Sequence, residues 1–143
     1  MGLLKKLFGG KGEEKGGDST PPAPPQREPE PEPLRINEIT PHELKARLDN
    51  GDDVVVVDMR QGWEYQHGHI PGATHMFIND IPARINELPK DKDIVFQCWH
   101  GNTSLQASAF LIENGWAAER VSSLSGGMAG WVQAHGEGGL VTE

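Results

Sequence analysis

Residues 93–112 read DIVFQCWHGNTSLQASAFLI, and this stretch decides the fold. Its first five residues form a short, mostly apolar run that is typical of a buried strand, and residues 104–112 have the composition of a helix. Cys98, the only cysteine in the chain, begins the loop that leads into the helix N-terminus. Parallel α/β sheets place ligand sites at this end of their strands, and helix N-termini lower cysteine pKa values. The stretch therefore predicts a thiolate nucleophile at Cys98.

Residues 53–58, DVVVVD, predict a second strand of the same sheet. Four consecutive valines indicate burial on both faces, as in a parallel sheet covered by helices. Strands and helices alternate along the chain, so we predict an open, mostly parallel α/β sheet of four or five strands. The predicted strands are 53–58, 74–77, 94–97 and 121–124, and the predicted helices are 41–48, 60–66, 81–88, 104–112 and 127–134. Thr40 and Glu43 have the spacing of a capping box at the start of the first helix.

The composition restricts the classes of function. With 21 acidic and 13 basic residues, the chain carries a formal charge of −8, which argues against a nucleic-acid partner because phosphate binding needs a basic surface. A single cysteine permits no internal disulfide, which favours a reducing compartment and therefore the cytoplasm. No apolar run approaches the ~20 residues of a membrane span. The N-terminus does not resemble a secretory signal because lysines interrupt its short apolar part.

Residues 1–33 differ in composition from the rest of the chain. Residues 9–33 contain glycine runs followed by prolines and glutamates that cannot fill a core, so we expect a disordered, solvated linker. Residues 1–8, MGLLKKLF, place apolar side chains on one helical face, although eight residues form a marginal helix. A disordered tail is the simpler interpretation, and weak docking of residues 1–8 to a membrane surface or a partner is the alternative. The folded domain is predicted to span residues 34–143.

The loop after Cys98 has the composition of an anion cradle. Gly101 lets the backbone turn tightly, and successive backbone N–H groups can then point inward as an anion-binding nest beside the helix dipole. Asn102 can cap the helix or donate to an anion, and His100 can add positive charge or a further donor. We therefore predict a substrate-binding loop that consists of Trp99, His100, Gly101, Asn102, Thr103 and Ser104.

Three reactions suit a cysteine in such a loop. Phosphate-ester hydrolysis uses C-x-x-x-x-x-R, but Ser104 occupies the arginine position and no Arg or Lys occurs between Cys98 and Arg120. Dithiol redox chemistry needs a second cysteine in the chain, and the sequence contains one only. Sulfur transfer needs a single thiolate, which takes the outer sulfur of a donor such as thiosulfate, releases sulfite and passes the sulfur on from a persulfide.

Three groups of residues carry a resemblance to a known family. The first resembles the D-x-R…E…GHIPGA stretch of the rhodanese domain and consists of Asp58, Arg60, Glu64 and residues 68–73. The second is the Cys98 loop, which resembles the active-site loop of that domain. The third resembles its closing L-x-G-G…W and consists of Leu124, Gly126, Gly127 and Trp131. The resemblance implies a five-stranded parallel sheet flanked by helices on both faces, with Cys98 as sulfur carrier and the amides of residues 99–103 as its cradle.

One position departs from the pattern of that family. Many rhodanese loops read C-x-x-G-x-R, and Thr103 stands where those loops have arginine. A loop of the form Cys-aromatic-His-Gly-Asn-Ser/Thr-Ser resembles that of the single-domain thiosulfate sulfurtransferases, which this chain also resembles in length. The lost positive charge is expected to weaken binding of dianionic thiosulfate and to leave the persulfide cradle intact.

Four residues outside the loop are expected to support the site. Asp58, Arg60 and Glu64 are predicted to form a structural ion-pair or hydrogen-bond set below it. Direct contact between Arg60 and the substrate is the alternative. His69 is expected to position the turn formed by residues 68–72.

The sequence thus predicts a cytoplasmic, single-domain sulfurtransferase of the rhodanese type. The predicted acceptor is cyanide in vitro and a thiol in the cell, and a sulfur-accepting protein is a further candidate. No organic cofactor or metal is expected; a zinc site at His67, His69 and His75 is disfavoured because no carboxylate lies in register. The alternatives are a rhodanese-like module that docks or relays sulfur to a partner protein, and a cysteine phosphatase or arsenate-type reductase.

Overall fold

The computed structural model describes residues 35–142, which form a five-stranded parallel sheet. The strands are β1 (Asn37–Ile39), β2 (Val54–Asp58), β3 (Thr74–His75), β4 (Asp93–Gln97) and β5 (Val121–Leu124). Their order across the sheet is β1-β5-β4-β2-β3, and every pairing is parallel. The predicted open α/β sheet is confirmed, and the strand that bears Cys98 at its end lies in the middle.

Helices cover both faces of the sheet, as the sequence predicts. The α-helices are α1 (Pro41–Asp49), α2 (Gly62–His67), α3 (Ile81–Arg84), α4 (Thr103–Glu113) and α5 (Gly127–His135). The 3-10 helices are Ile78–Asp80, Ile85–Glu87 and Ala118–Arg120. Buried residues of α3 and α4 pack with the sheet in one apolar core, and buried residues of α1 and α5 form a second core with the sheet.

The valine strand β2 explains why the sheet has two covered faces. Val57 belongs to the core beneath α4, whereas its neighbour Val56 belongs to the core beneath α5. Both are buried, and they pair in register with Phe96 and Val95 of β4. A strand with side chains buried in both directions has no polar face, which is what the unbroken valine run predicts.

Local signals fixed some helix ends well. Thr40 and Glu43 form the predicted capping box: the Glu43 amide donates to Thr40 Oγ1 over 3.1 Å, and the Thr40 amide donates to Glu43 Oε1 over 2.9 Å. Helix α1 ends next to Gly51, which has φ +78°, and α4 ends next to Gly115, which has φ +108°. Both ends fall at the predicted Asn-Gly pairs, because glycine accepts the left-handed conformation that follows a helix.

One strand was not predicted, and two predicted elements differ from the structure. Strand β1 was not predicted, because it is a three-residue edge strand with one buried side chain. The predicted strand 74–77 is limited to the two residues of β3. The predicted helix 81–88 is a short α-helix followed by a 3-10 turn, since Arg84 leaves helical geometry and Ile85 and Asn86 are weak helix formers.

The carboxyl ends of β2, β4 and β5 meet at one edge of the sheet because the strands are parallel neighbours. Each strand is followed there by a loop: Met59–Gln61 after β2, residues 98–102 after β4 and Ser125–Gly126 after β5. Among residues 35–142, none of the helices has the length and hydrophobicity of a membrane span. The predictions for the tail at residues 1–8 and the linker at residues 9–33 lie outside the described residues.

Candidate active site

Cys98 lies at the carboxyl end of β4 and lines a cavity of about 290 Å³. Only 6% of the residue is exposed, so the thiol is less accessible than an open loop position would make it, and its approach is through the cavity. The cavity is lined by Met59, Arg60, Gln61, Glu64, Phe77, Cys98, Trp99, His100, Asn102 and Thr103. The thiol therefore borders a small cavity at the carboxyl end of β4.

Hydrogen-bond donors from the loop and from the start of α4 lie close to the Cys98 sulfur. The Gly101 amide donates to Sγ over 3.1 Å, and Ser104 Oγ lies 3.5 Å from Sγ. Burial raises the pKa of the Cys98 thiol, but hydrogen bonds from the Ser104 and Thr103 hydroxyls and from the Ser104 and Gly101 amides outweigh burial and bring the pKa below its ordinary value. The loop therefore favours the thiolate, which is the nucleophilic form of cysteine.

Glycines allow the loop to approach the next turn closely. Gly101 has φ +90°, and a Cβ there would lie 3.2 Å from Leu124 O. Gly127 has φ +58°, and a Cβ there would come closer than 3.0 Å to the Cys98 and Trp99 carbonyl groups. The left-handed backbone and the close contact together explain why both positions carry glycine.

The N-terminus of α5 holds the carbonyl oxygens of the loop. The Met128 amide donates to Cys98 O over 2.7 Å, and the Ala129 amide donates to Trp99 O over 2.9 Å. These amides are among the first donors of α5, which have no partner inside their own helix. With its carbonyls bound to α5, the loop can direct amides such as that of Gly101 toward the thiol. The loop thus contacts two helix N-termini: groups at the start of α4 donate to the sulfur, and amides at the start of α5 bind the backbone carbonyls.

The other loop residues form the exposed side of the cavity. Trp99, His100, Asn102 and Thr103 are exposed, and all four line the cavity. Asn102 stands at the N-cap of α4 but makes no side-chain capping bond, so of the two uses expected from the sequence the capping one is not found, and donation to an anion stays a prediction. Its backbone is already helical in conformation, which turns the side chain away from the capping geometry.

Glu64 contacts the Trp99 side chain across the cavity. The Trp99 indole N–H donates to Glu64 Oε2, and Glu64 Oε1 accepts the Gln61 amide at the start of α2. The Arg60 guanidinium carbon lies 5.0 Å from the centre of the Trp99 ring, within the range of a cation–π contact. Trp99 is 43% exposed, so these contacts orient a side chain that borders solvent.

Asp58 and Arg60 form a buried ion pair below the site. Arg60 Nη2 donates to Asp58 Oδ2 over 2.8 Å, and Arg60 Nε donates to Asp58 Oδ1 over 3.0 Å. Arg60 Nη2 also donates to Gly68 O over 2.7 Å, which ties the end of β2 to the turn after α2. Because Nε and Nη2 are engaged in this way, the geometry favours a structural use of Arg60 over direct contact with an anion.

His69 lies within the turn of residues 68–72, which the sequence predicts it to position. Its Nδ1 lies 2.8 Å from Tyr65 O, its ring stacks on the Tyr65 ring at 3.7 Å, and its backbone pairs with Val141. His75 Nε2 lies 2.7 Å from Arg60 O. Both imidazoles are thus used in contacts with the backbone around α2, so His69 is placed to hold this turn rather than to reach the thiol.

Sequence reasoning missed several residues around the thiol. Met59, Gln61 and Phe77 line the cavity, and Ser123 contacts Ser104 behind it. A signal for Ser123 was present, because two successive serines in a central strand must place one hydroxyl on each face. No comparable signal existed for Phe77, which reaches the cavity through the irregular segment after β3.

Comparison with known proteins agrees with this geometry. The sequence model of one protein family, the rhodanese-like domain, matches residues 40–134. A sulfurtransferase of Allochromatium vinosum is 41% identical over 101 residues, which cover 71% of this chain and 92% of that protein. Thiosulfate sulfurtransferase GlpE of Glaesserella parasuis is 33% identical over 69% of this chain and 89% of that protein. A crystal structure of a rhodanese-like domain protein from Staphylococcus aureus aligns with a TM-score of 0.67 at 30% identity, over 76% of this chain and 99% of that one. The chain belongs to the family of rhodanese-like domains.

Proposed function

We propose that this protein is a sulfurtransferase that carries a sulfane sulfur on Cys98. The thiolate attacks the outer sulfur of thiosulfate or a similar donor, the donor S–S bond breaks, and sulfite leaves with the bonding electron pair. A thiophilic acceptor, cyanide or a thiol, then attacks the outer sulfur of the persulfide, and the Cys98 thiolate is regenerated. This two-step covalent reaction needs only one cysteine, and Cys98 is the single cysteine of the chain.

One observation carries the proposal: a thiol whose pKa is lowered by neighbouring amides and hydroxyls lines a cavity. The Gly101 amide donates to Sγ, and Ser104 Oγ lies 3.5 Å from Sγ. Donors fixed in place before the reaction stabilise negative charge without reorganising, which is the usual source of electrostatic catalysis. These donors contact the sulfur that is negatively charged before transfer and again when the acceptor removes the outer sulfur and the Cys98 thiolate leaves.

The residues of the loop divide the work of this reaction. Cys98 is the nucleophile, and the backbone of Trp99, His100 and Gly101 with the side chains of Thr103 and Ser104 form the anion cradle. His100 and Asn102 line the entrance and contact the donor or the leaving sulfite. Asp58, Arg60, Glu64 and His69 position the opposite wall.

We further propose that the protein acts in the cytoplasm on small sulfur donors, with a thiol or a sulfur-accepting protein as the cellular acceptor. The lone cysteine and the formal charge of −8 support a reducing compartment and a partner other than nucleic acid. Thr103 in the place of arginine favours donors that depend less on a cationic contact than thiosulfate does.

Steady-state kinetics test the proposal. Sulfur transfer from thiosulfate, an alkyl thiosulfonate and a glutathione persulfide to cyanide is measured for the wild type and for Cys98→Ala. We expect turnover with at least one donor and none above background in the variant. Absence of turnover with every donor would support a module that only docks. Hydrolysis of an aryl phosphate that vanishes in Cys98→Ser would instead identify a phosphatase.

A further inference from the structure

A buried hydroxyl behind the thiol has no part in the mechanism described above. Ser123 lies on β5, is 1% exposed, and its Oγ is 2.6 Å from Ser104 Oγ. Ser104 Oγ in turn lies 3.5 Å from Cys98 Sγ. The three side chains thus form a line that runs from the interior of the sheet to the sulfur and ends at the cavity.

The count of hydrogens gives this line a direction. Ser104 Oγ is the one hydrogen-bond partner of the Ser123 hydroxyl within residues 35–142. A buried hydroxyl hydrogen without an acceptor is unfavourable, so Ser123 donates to Ser104. The Ser104 hydrogen is then free for its other neighbour, Cys98 Sγ, 3.5 Å away. The neutral thiol can donate its own hydrogen to Ser104 Oγ, and once the thiol is deprotonated the sulfur accepts the Ser104 hydrogen at the end of the line. A negative charge on the sulfur strengthens that last bond.

We propose that Ser123 is a positioning residue, which directs the Ser104 hydroxyl toward Cys98 Sγ and so stabilises the anionic sulfur. The inference deepens the proposed sulfur transfer and rests on it. Ser123 does not touch the substrate, since it lies on the side of Ser104 away from the cavity. Without its hydrogen bond, the Ser104 hydroxyl can rotate and accept the thiol hydrogen instead, which favours the neutral form of Cys98.

Other charged groups near the sulfur belong to the opposite wall. The cavity is lined by Arg60 and Glu64 from the region of β2 and α2, and by His100 from the loop. Arg60 is paired with Asp58, and Glu64 accepts bonds from Gln61 and Trp99. Strand β5, the turn after it and the first turns of α4 and α5 carry no titratable side chain. On this side of the thiol, the polar groups that act on the sulfur are therefore uncharged: the hydroxyl line and the amides of Gly101 and Ser104.

The rate of Cys98 alkylation by iodoacetamide, measured against pH, tests the proposal on the full chain. We expect Ser123→Ala to move the midpoint of the profile to higher pH by about half to one pH unit, which lowers the rate about threefold to tenfold below the midpoint. Ser123→Thr retains a hydroxyl and is expected to keep the wild-type midpoint. Melting curves establish that each variant is folded.

Ser108→Ala is the matched control. Ser108 is also fully buried, but its hydroxyl donates to Ser104 O over 2.8 Å and not to the hydroxyl line, so its removal should leave the midpoint unchanged. An unchanged midpoint in Ser123→Ala, or an equal shift in Ser108→Ala, would overturn the proposal. So would a Ser123→Thr profile that matches Ser123→Ala.

A double substitution separates an effect through the hydroxyl line from a packing effect of Ser123→Ala. Ser104→Ala alone already breaks the line. In that background, neither Ser123→Ala nor Ser123→Thr should shift the midpoint of the alkylation profile any further. A further shift would contradict the proposal. Alkylation needs no sulfur donor, so failure of Ser123 to matter and failure of the wild type to transfer sulfur are separate results.

Discussion

The two sides of the Cys98 loop are built in opposite ways. The inner wall, which consists of Gly101, Ser104 and Ser123, is buried, and its amides and hydroxyls donate toward the sulfur or toward each other. The outer rim, which consists of Trp99, His100, Asn102 and Thr103, is exposed and faces the cavity.

The difference separates two tasks. The inner wall sets the charge of the sulfur, because fixed donors lower the pKa of the thiol against the effect of burial. The outer rim contacts whatever enters the cavity. Thr103 belongs to both sides, because its hydroxyl also lowers the pKa of the thiol, whereas the side chains of Trp99, His100 and Asn102 can change without removing a donor to the sulfur. Changes to the inner wall should therefore alter thiol chemistry, and changes to the rim should alter substrate preference.

The largest effect is expected at Gly127, where the N-terminus of α5 contacts the backbone of the Cys98 loop. Gly127→Ala would place a Cβ against the Cys98 and Trp99 carbonyls at φ +58°, so we expect a loss of about 2–4 kcal/mol in the free energy of unfolding and a loss of most sulfur transfer. Urea denaturation and thiosulfate turnover measure both. Gly138→Ala is the control, since a Cβ there meets nothing within 4 Å. Equal stability of the two variants would refute the support role of Gly127.

The pH dependence of the thiol sharpens the comparison further. The folded pKa of Cys98 is lowered, so iodoacetamide alkylation should stay fast at pH values where an ordinary thiol, with pKa about 8.5, is protonated, and should fall only as the pH drops through the folded pKa. The same chain unfolded in urea is the matched control, because it exposes the same thiol without the inner wall. A folded midpoint at or above the unfolded one would show that burial dominates over the donors.

Thr103→Arg examines the outer rim. An added cation beside the cavity should attract dianionic thiosulfate by about 1 kcal/mol, which lowers its KM about fivefold. Gln106→Arg adds the same charge at an exposed position of α4 that does not line this cavity, and should leave KM near the wild-type value. If both variants lower KM alike, net charge and not the rim position is responsible.

The smallest effect is expected at the tip of the rim. Trp99→Phe removes the indole N–H that Glu64 accepts but keeps an aromatic ring near Arg60, so the KM for donor or acceptor should change about twofold to fourfold with little change in kcat. Trp63→Phe, at a 62% exposed position outside this cavity, is the control. A shift in the alkylation midpoint of Trp99→Phe would contradict the assignment of thiol chemistry to the inner wall alone.

Much of the fold was readable because its signals are local. The valine run of β2 and the capping box of α1 each act within a few residues, so periodicity and cap chemistry found them. Strand β1 escaped because a short edge strand is defined by its pairing with β5, which lies more than eighty residues away along the chain. The irregular course of residues 78–87 likewise depends on packing and not on a local motif.

In the site, too, the residues marked by local motifs were predicted and the contacts between distant residues were not. Cys98 and its loop were identified from one contiguous stretch, and Asp58 with Arg60 from the resemblance to the D-x-R motif of the rhodanese domain. The contact of Trp99 with Glu64 joins residues 35 positions apart, and the contact of Ser104 with Ser123 joins residues 19 positions apart. Such contacts exist only after β2, β4 and β5 are aligned, so a single sequence gives little warning of them.

The mass of the intact chain after exposure to thiosulfate addresses the central claim most directly. If the donors around Cys98 hold a charged sulfur, the wild type gains the mass of one sulfur atom, loses it again on addition of cyanide, and Cys98→Ser gains nothing. A wild-type chain that remains unmodified, or a Cys98→Ser chain that acquires the same mass, would contradict the account.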